Sequence, residues 1–220
     1  MMEGTVRAII VAAGDSPGDE EWARWMQRGD LIVAADGGAA RILSQGLVPH
    51  IVIGDMDSLP DSARSKLDDG VEIVEHPRAK DETDLELALT YAAQRGVQEI
   101  VVLGALGGRL DHTLSNVLLL ALPKLESITV RIVQGAEEAI LVRGGEEISL
   151  QGSKGDVVSL LPWGGDARGV TTDGLAWPLE RVTLHFAFSR GVSNVMTGPE
   201  ARIGVEGGYL LVIHGPSPED

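Results

Sequence analysis

Two aspartates one residue apart, Asp55 and Asp57, follow the apolar residues 51–53 and a glycine, Gly54. At the end of a strand such a pair can turn into one crevice and share a divalent cation. Mg²⁺ prefers one or two carboxylates together with substrate phosphates. A plain Asp-rich turn uses the same residue types, so the neighbouring loops decide. Asp15 follows one apolar run, Asp36-Gly37-Gly38 a second, Lys80, Asp81 and Asp84 another, and Gly107-Gly108-Arg109 with Asp111 the last. Glycines admit backbone N–H groups to phosphate oxygens, and helix N-termini attract anions. Carboxylates repel a polyphosphate unless a cation stands between them, while Lys80 and Arg109 can neutralise charge that develops in phosphoryl transfer. One chemistry repeated over five loops favours a polyphosphate–metal site over five separate turns.

The periodicity predicts elements that bring these loops to one edge. Residues 7–13, 31–35, 51–53, 71–74, 99–103 and 128–133 are short apolar runs, as in strands buried on both faces. Helices are expected between them. Residues 20–28 carry Trp22, Trp25 and Met26 at core spacing, and residues 39–45 stop at Gly46. Pro60 opens another helix, where its missing N–H costs least. Thr83 and Glu86 form a capping box. Leu85, Ala88, Leu89 and Ala92 follow at i, i+3, i+4 and i+7, up to Gly96. The next helix places His112 and Asn116 on one face and runs to Pro123. Strands alternating with helices imply a parallel sheet with right-handed crossovers, whose ligands bind beyond the carboxyl ends of the strands.

Near residue 136 the pattern changes to short alternating runs with glycine-rich turns. Residues 181–188 read as a strand with Val182, Leu184, Phe186 and Phe188 on one side. Residues 201–205 and 209–214 flank Glu206-Gly207-Gly208 and are expected to form a hairpin. The expectation is an α/β fold: a parallel-sheet nucleotide domain over residues 1–136, then an antiparallel β-sandwich over 137–220.

Composition excludes several classes. The 220 residues contain no cysteine, which rules out disulfides, thiolate metal sites and cysteine nucleophiles. A net charge of −15 opposes a general nucleic-acid surface. No apolar run reaches membrane-spanning length, and residues 9–13 are too few for a signal peptide, so a cytoplasmic protein is expected. No G-x-x-x-x-G-K-[ST], no G-x-G-x-x-G after the first strand and no G-x-S-x-G elbow is present.

The motifs Ala35-Asp36-Gly37-Gly38, Gly54-Asp55-Met56-Asp57-Ser58, Lys80-Asp81-Glu82-Thr83-Asp84-Leu85-Glu86 and Gly107-Gly108-Arg109-Leu110-Asp111-His112 resemble, in order, those of the thiamine pyrophosphokinase family. The resemblance continues through Thr172-Asp173-Gly174-Leu175-Ala176-Trp177-Pro178-Leu179 and Gly191-Val192-Ser193-Asn194. It implies transfer of a pyrophosphoryl group from ATP to the hydroxyl of thiamine with Mg²⁺, by a homodimer. It also implies that Asp55, Asp57 and Asp84 hold Mg²⁺, that Lys80 and Arg109 contact phosphates, and that Asp36 borders them. Gly37, Gly38, Thr83, Gly107, Gly108, Asp111, His112 and Asn116 would line the nucleotide site, and Trp177, Ser193 and Asn194 the thiamine side. One departure is Val195, where many members carry an acidic residue. It leaves open another alcohol acceptor, such as a hydroxymethylpterin, and a non-catalytic nucleotide or thiamine-diphosphate sensor is the remaining alternative.

Overall fold

The computed structural model describes residues 7–57, 61–65, 67 and 70–217. Ser58 of the acidic motif and the helix-opening Pro60 lie outside the described residues. The chain divides into two compact units, Met1–Gly135 and Ala136–Asp220.

The first unit contains β1 (Arg7–Val11), α1 (Asp19–Trp25), β2 (Leu31–Ala35), α2 (Gly38–Ser44), β3 (Ile51–Gly54) and α3 (Asp61–Arg64). Then come β4 (Glu72–Glu75), α4 (Asp84–Gln94), β5 (Glu99–Leu103), α5 (Leu110–Leu118) and β6 (Thr129–Gln134). The strands pair in parallel in the order β4-β3-β2-β1-β5-β6. β1, β2 and β5 are buried nearly throughout, which explains their unbroken apolar sequences. Trp22, Ile42 and Ala63 close one core with Ile9, Val11, Val52 and Leu103. On α4 the predicted stripe of Leu85, Ala88, Leu89 and Ala92 is buried. Thr83 Oγ1 accepts the Glu86 N–H at 3.2 Å, one half of the expected capping box.

The helix after the second glycine loop departs from expectation. α5 stops at Leu118, continues as a 3₁₀ turn over Leu119–Ala121, and Pro123 opens a second 3₁₀ turn, Pro123–Leu125. Leu122, forced out of helical geometry by the following proline, takes ψ 129°. None of the α5 residues is buried, and Leu110, Leu114 and Leu118 stand 73%, 54% and 58% exposed along one face.

The second unit is a sandwich of two antiparallel sheets. It comprises β7 (Glu137–Arg143), β8 (Glu147–Gln151), β9 (Val157–Pro162), β10 (Ala167–Asp173), β11 (Val182–Leu184), β12 (Asn194–Val195), β13 (Glu200–Gly204) and β14 (Tyr209–Gly215). One sheet runs β12-β9-β14-β7 and the other β11-β10-β13-β8. Val142, Leu150, Leu160, Val170, Ile203 and Val212 fill the core between inward faces.

Two expectations fail here. The predicted 181–188 strand is regular only over Val182–Leu184. Asp166 captures the next two residues, pairing with the His185 ring at 2.9 Å and accepting the Phe186 N–H at 2.8 Å. Ala187 then takes φ 68°, and Phe186 and Phe188 are exposed instead of joining the core. The predicted hairpin at Glu206-Gly207-Gly208 is instead a crossing between sheets. β13 pairs with β10 and β8, whereas β14 pairs with β7 and β9. Gly144 makes room for this turn, since a Cβ there would stand 2.9 Å from Gly207 Cα.

Candidate active site

A cleft of about 550 Å³ opens at the carboxyl ends of β1, β2, β3 and β5. Its lining brings together Asp36, Asp55, Lys80, Thr83, Asp84, Gly107, Gly108, Arg109, His112 and Asn116.

Asp36 ends β2 at φ 42°, a left-handed turn that aspartate tolerates. Gly54 admits it, because a Cβ there would come within 2.9 Å of Asp36 Cβ. Asp36 Oδ1 is buried and accepts no hydrogen bond among the described residues. A buried carboxylate oxygen without a donor is costly, so this atom is suited to a cation. Asp55 follows β3, and its Oδ1 accepts the Asp57 N–H at 3.0 Å. Lys80, four residues before α4, forms an ion pair with Asp84, the first residue of the helix, and is itself largely shielded from solvent.

The glycine loop after β5 is stitched to the loop after β1. Gly14 N–H donates to Gly104 O and Asp15 N–H to Leu106 O, each at 2.7 Å. Gly107, at φ 85°, lies under the Asp15 carboxylate, which occupies the place a Cβ would take, only 2.0 Å away. Asn116 Nδ2 donates to Ala105 O at 2.6 Å and Thr113 Oγ1 to Gly107 O at 3.2 Å, fixing this loop from α5. Arg109 grips Asp111 through two hydrogen bonds, at 3.1 and 2.6 Å. This bond holds the Asp111 carboxyl below its usual value and the Arg109 guanidinium above its own.

Other expected residues stand apart from the lining. Asp57 is exposed and pairs with Arg78 at 3.1 Å, and Asp111, which does not line the cleft, pairs with Arg109. Gly37 and Gly38 do not line it either. Gly38 instead lets α2 pack on β1, where a Cβ would meet Val11 O at 1.9 Å. Among the described residues no three His, Asp or Glu side chains gather as a metal-binding group of their own. The expected set of Asp55, Asp57 and Asp84 is therefore not gathered in this structure, Asp57 being turned to Arg78.

The lining also contains Asp15, which the strand-end rule brought to this edge, and Arg78, Glu82 and Ala105, to which sequence reasoning assigned no role. Arg41 carried no signal, being a lone helix residue that reaches back to the loop after β1. Its guanidinium donates to Ala13 O at 2.8 Å and to Gly14 O, and burial lowers its pKa against the opposing charge of Asp15.

In the second unit, Trp177 is 63% exposed. Asn194 is buried and clamps the Trp177 backbone. Its Oδ1 accepts Trp177 N–H at 3.1 Å and its Nδ2 donates to Trp177 O at 2.7 Å. Ser193, at φ 60°, donates its N–H to Ser159 Oγ at 3.0 Å.

An open parallel sheet whose strand-end loops offer carboxylates, cations and glycines is the build of α/β proteins that handle phosphorylated nucleotides. Comparison with known proteins is more specific. Residues 22–132 match the family description "Thiamin pyrophosphokinase, catalytic domain", and residues 146–210 match "Thiamin pyrophosphokinase, vitamin B1 binding domain". The chain belongs to the thiamin pyrophosphokinase family. Thiamine pyrophosphokinase of Bacillus subtilis (strain 168) is 25% identical over 205 residues, covering 93% of this chain and 96% of its own. Thiamine pyrophosphokinase 1 of Oryza sativa is 29% identical over 203 residues, covering 80% and 75%. The crystal structure of the Bacillus subtilis protein superposes with a TM-score of 0.86 at 23% identity, over 96% of this chain and 100% of that one, and carries the likeness of fold. Thiamin pyrophosphokinase from Geobacillus thermodenitrificans superposes with a TM-score of 0.81 at 25% identity, covering 97% and 99%. Among the described residues no helix is long and apolar enough to cross a membrane.

Proposed function

We propose that this chain is a thiamine diphosphokinase, transferring the pyrophosphoryl group of ATP to the hydroxyl of thiamine and releasing AMP. The reading is carried by both domain matches falling, in order, on one chain whose first unit holds an acidic, glycine-edged cleft. Asp55 and Asp84, which line the cleft with Asp36, are the proposed Mg²⁺ ligands, joined by Asp57 once it leaves Arg78, and the partnerless Asp36 Oδ1 supports a cation there. When bound, Mg²⁺ neutralises phosphate charge and orients the triphosphate.

The chain's own residues supply the rest. Backbone N–H groups of Gly107 and Gly108 receive phosphate oxygens, while Thr83, His112 and Asn116 line the nucleotide side. Lys80 and Arg109 stabilise the charge that builds as the thiamine hydroxyl attacks the β-phosphorus in line and the bond to the α-phosphate oxygen breaks. Each begins paired with a carboxylate, Asp84 or Asp111, so phosphate binding exchanges one anion for another. The hydroxyl proton is lost as the new P–O bond forms, either to a carboxylate such as Asp84 or to solvent, with metal and positioning alone activating the hydroxyl. Trp177 offers an exposed aromatic face to the cationic thiazolium, with Asn194 clamping its backbone and Ser193 next to Asn194 in the chain.

The exposed leucine face of α5 supports self-association, in keeping with a homodimer. A cytoplasmic setting belongs to the same proposal. The test is AMP formation from Mg-ATP with and without thiamine. AMP and thiamine diphosphate in equal amounts, both dependent on thiamine, are expected. AMP formed with another alcohol and not with thiamine, or no AMP with any acceptor, would overturn the reading.

A further inference from the structure

His214 lies within the sandwich with a carboxylate on each ring nitrogen. Nδ1 is 3.0 Å from Glu138 Oε1 and Nε2 is 3.3 Å from Asp156 Oδ2. The three side chains are 8%, 9% and 17% exposed. Glu138 is the cross-strand partner of His214 on β7, and Asp156 lies in the turn before β9. On β9 the residue opposite His214 is Val158, and the Met196 sulfur borders the cluster at Gly152, so the facing charges are Glu138 and Asp156. A ring with a carboxylate acceptor on both nitrogens needs a proton on both. Hydrogen bonding to Glu138 raises the His214 pKa, opposing its burial, and Asp156 adds to the rise.

The cluster leads to the Trp177 loop. Asp156 Oδ2 also accepts Ser153 N–H at 2.8 Å, which closes the turn. From that turn Asp156 O accepts Met196 N–H at 2.8 Å, and Gly155 N–H donates to Met196 O at 2.9 Å. The other edge of the same segment holds the loop. Ala176 N–H donates to Val195 O at 2.8 Å, Thr197 N–H donates to Gly174 O at 2.9 Å, and Asn194 clamps Trp177. Residues 194–197 thus lie between the histidine-braced turn and the exposed tryptophan.

We propose that protonated His214 is a positioning residue that, through Asp156 and residues 194–197, fixes the Trp177 loop for the acceptor. The acceptor half of this statement rests on the proposed function; the linkage from His214 to Trp177 stands without it. With the proton lost, one ring nitrogen turns a lone pair toward a carboxylate and the brace opens. A raised folded-state pKa places the brace below that pKa and removes it as pH rises through it.

The test uses the full chain labelled with 6-fluorotryptophan, the Trp177 resonance being identified by its disappearance in Trp177→Phe. The Trp177 resonance is expected to shift with pH at the midpoint at which the His214 ring protons titrate. Glu138→Gln lowers that midpoint, and His214→Gln abolishes the shift. In turnover the thiamine KM rises about five-fold above the midpoint, the worth of about one hydrogen bond, with kcat within two-fold. A Trp177 resonance that ignores the His214 titration, or that titrates unchanged in Glu138→Gln, overturns the linkage. Should His214→Gln fail to fold, Glu138→Gln alone decides. A linkage that holds in a protein inactive on thiamine would refute the acceptor reading and leave the brace standing.

Discussion

Three glycines of the cleft floor can be replaced by alanine with costs that the geometry ranks in advance. At Gly14 an added Cβ would stand 2.3 Å from Leu106 O and 2.4 Å from Gly104 O, both backbone atoms. The same carbonyls accept the hydrogen bonds from Asp15 N–H and Gly14 N–H. Gly14→Ala therefore pushes the two loops apart and breaks both bonds, at about 1–3 kcal/mol for each group left unpaired, or ~3 kcal/mol together. At Gly108 a Cβ meets open space, and only its φ of 67° is unfavourable. That costs a non-glycine residue about 1–2 kcal/mol. Gly107→Ala bears a similar backbone cost and also displaces the Asp15 carboxylate, an exposed group free to swing away.

With about 2–4 °C per kcal/mol for a chain of this size, Gly14→Ala should lower Tm by ~9 °C and the other two by ~4 °C. Thermal unfolding followed by circular dichroism reads the ranking. ATP KM measured alongside should rise more in Gly107→Ala than in Gly108→Ala, since only the former moves Asp15. Equal Tm losses in Gly14→Ala and Gly108→Ala would refute the stitched floor.

Further outcomes concern the site and its supports. Asp55→Asn keeps the Oδ1 that accepts the Asp57 N–H, so Tm should hold while thiamine-dependent AMP formation falls by at least ~100-fold. Near-normal turnover would remove Asp55 from the metal set. Thr83→Ala loses the cap of α4 and should cost about 1 kcal/mol in denaturant unfolding. Asn194→Ala leaves the Trp177 N–H and C=O without their buried partner, and should cost ~3 kcal/mol while raising thiamine KM more than it lowers kcat. An unchanged thiamine KM would detach Trp177 from the acceptor.

The parallel domain was readable because its strands are buried on both faces and so appear as apolar runs. β2 and β5 fall on the expected residues, and α4 announces itself by its cap and its buried stripe. Convergence of the loops followed from strand polarity alone. The sandwich was harder to read. Its alternating strands are short, and alternation continues past Leu184 although Asp166 ends the strand there. Nothing local in Glu206-Gly207-Gly208 distinguishes a hairpin from a passage between sheets; the difference lies in partners some sixty residues upstream. In the site, Asp57 and Asp111 have the right type and spacing yet face Arg78 and Arg109, because exposed carboxylates settle on the nearest cation. The role of Arg41 rests on a carbonyl contact, which no residue pattern encodes.

The crossing from β13 to β14 bears on synthesis. β14 is a central strand, with β7 on one side and β9 on the other. On a ribosome the βα units of the first domain can settle one after another, each closing short loops as it emerges. The sandwich has no such order: until residue 215 has been made and has cleared the exit tunnel, β7 and β9 lack their common neighbour and expose open edges. The first domain can therefore be folded while its companion still exposes unpaired strand edges. Premature termination before residue 215 would leave the first domain formed and the second with an unsealed sheet.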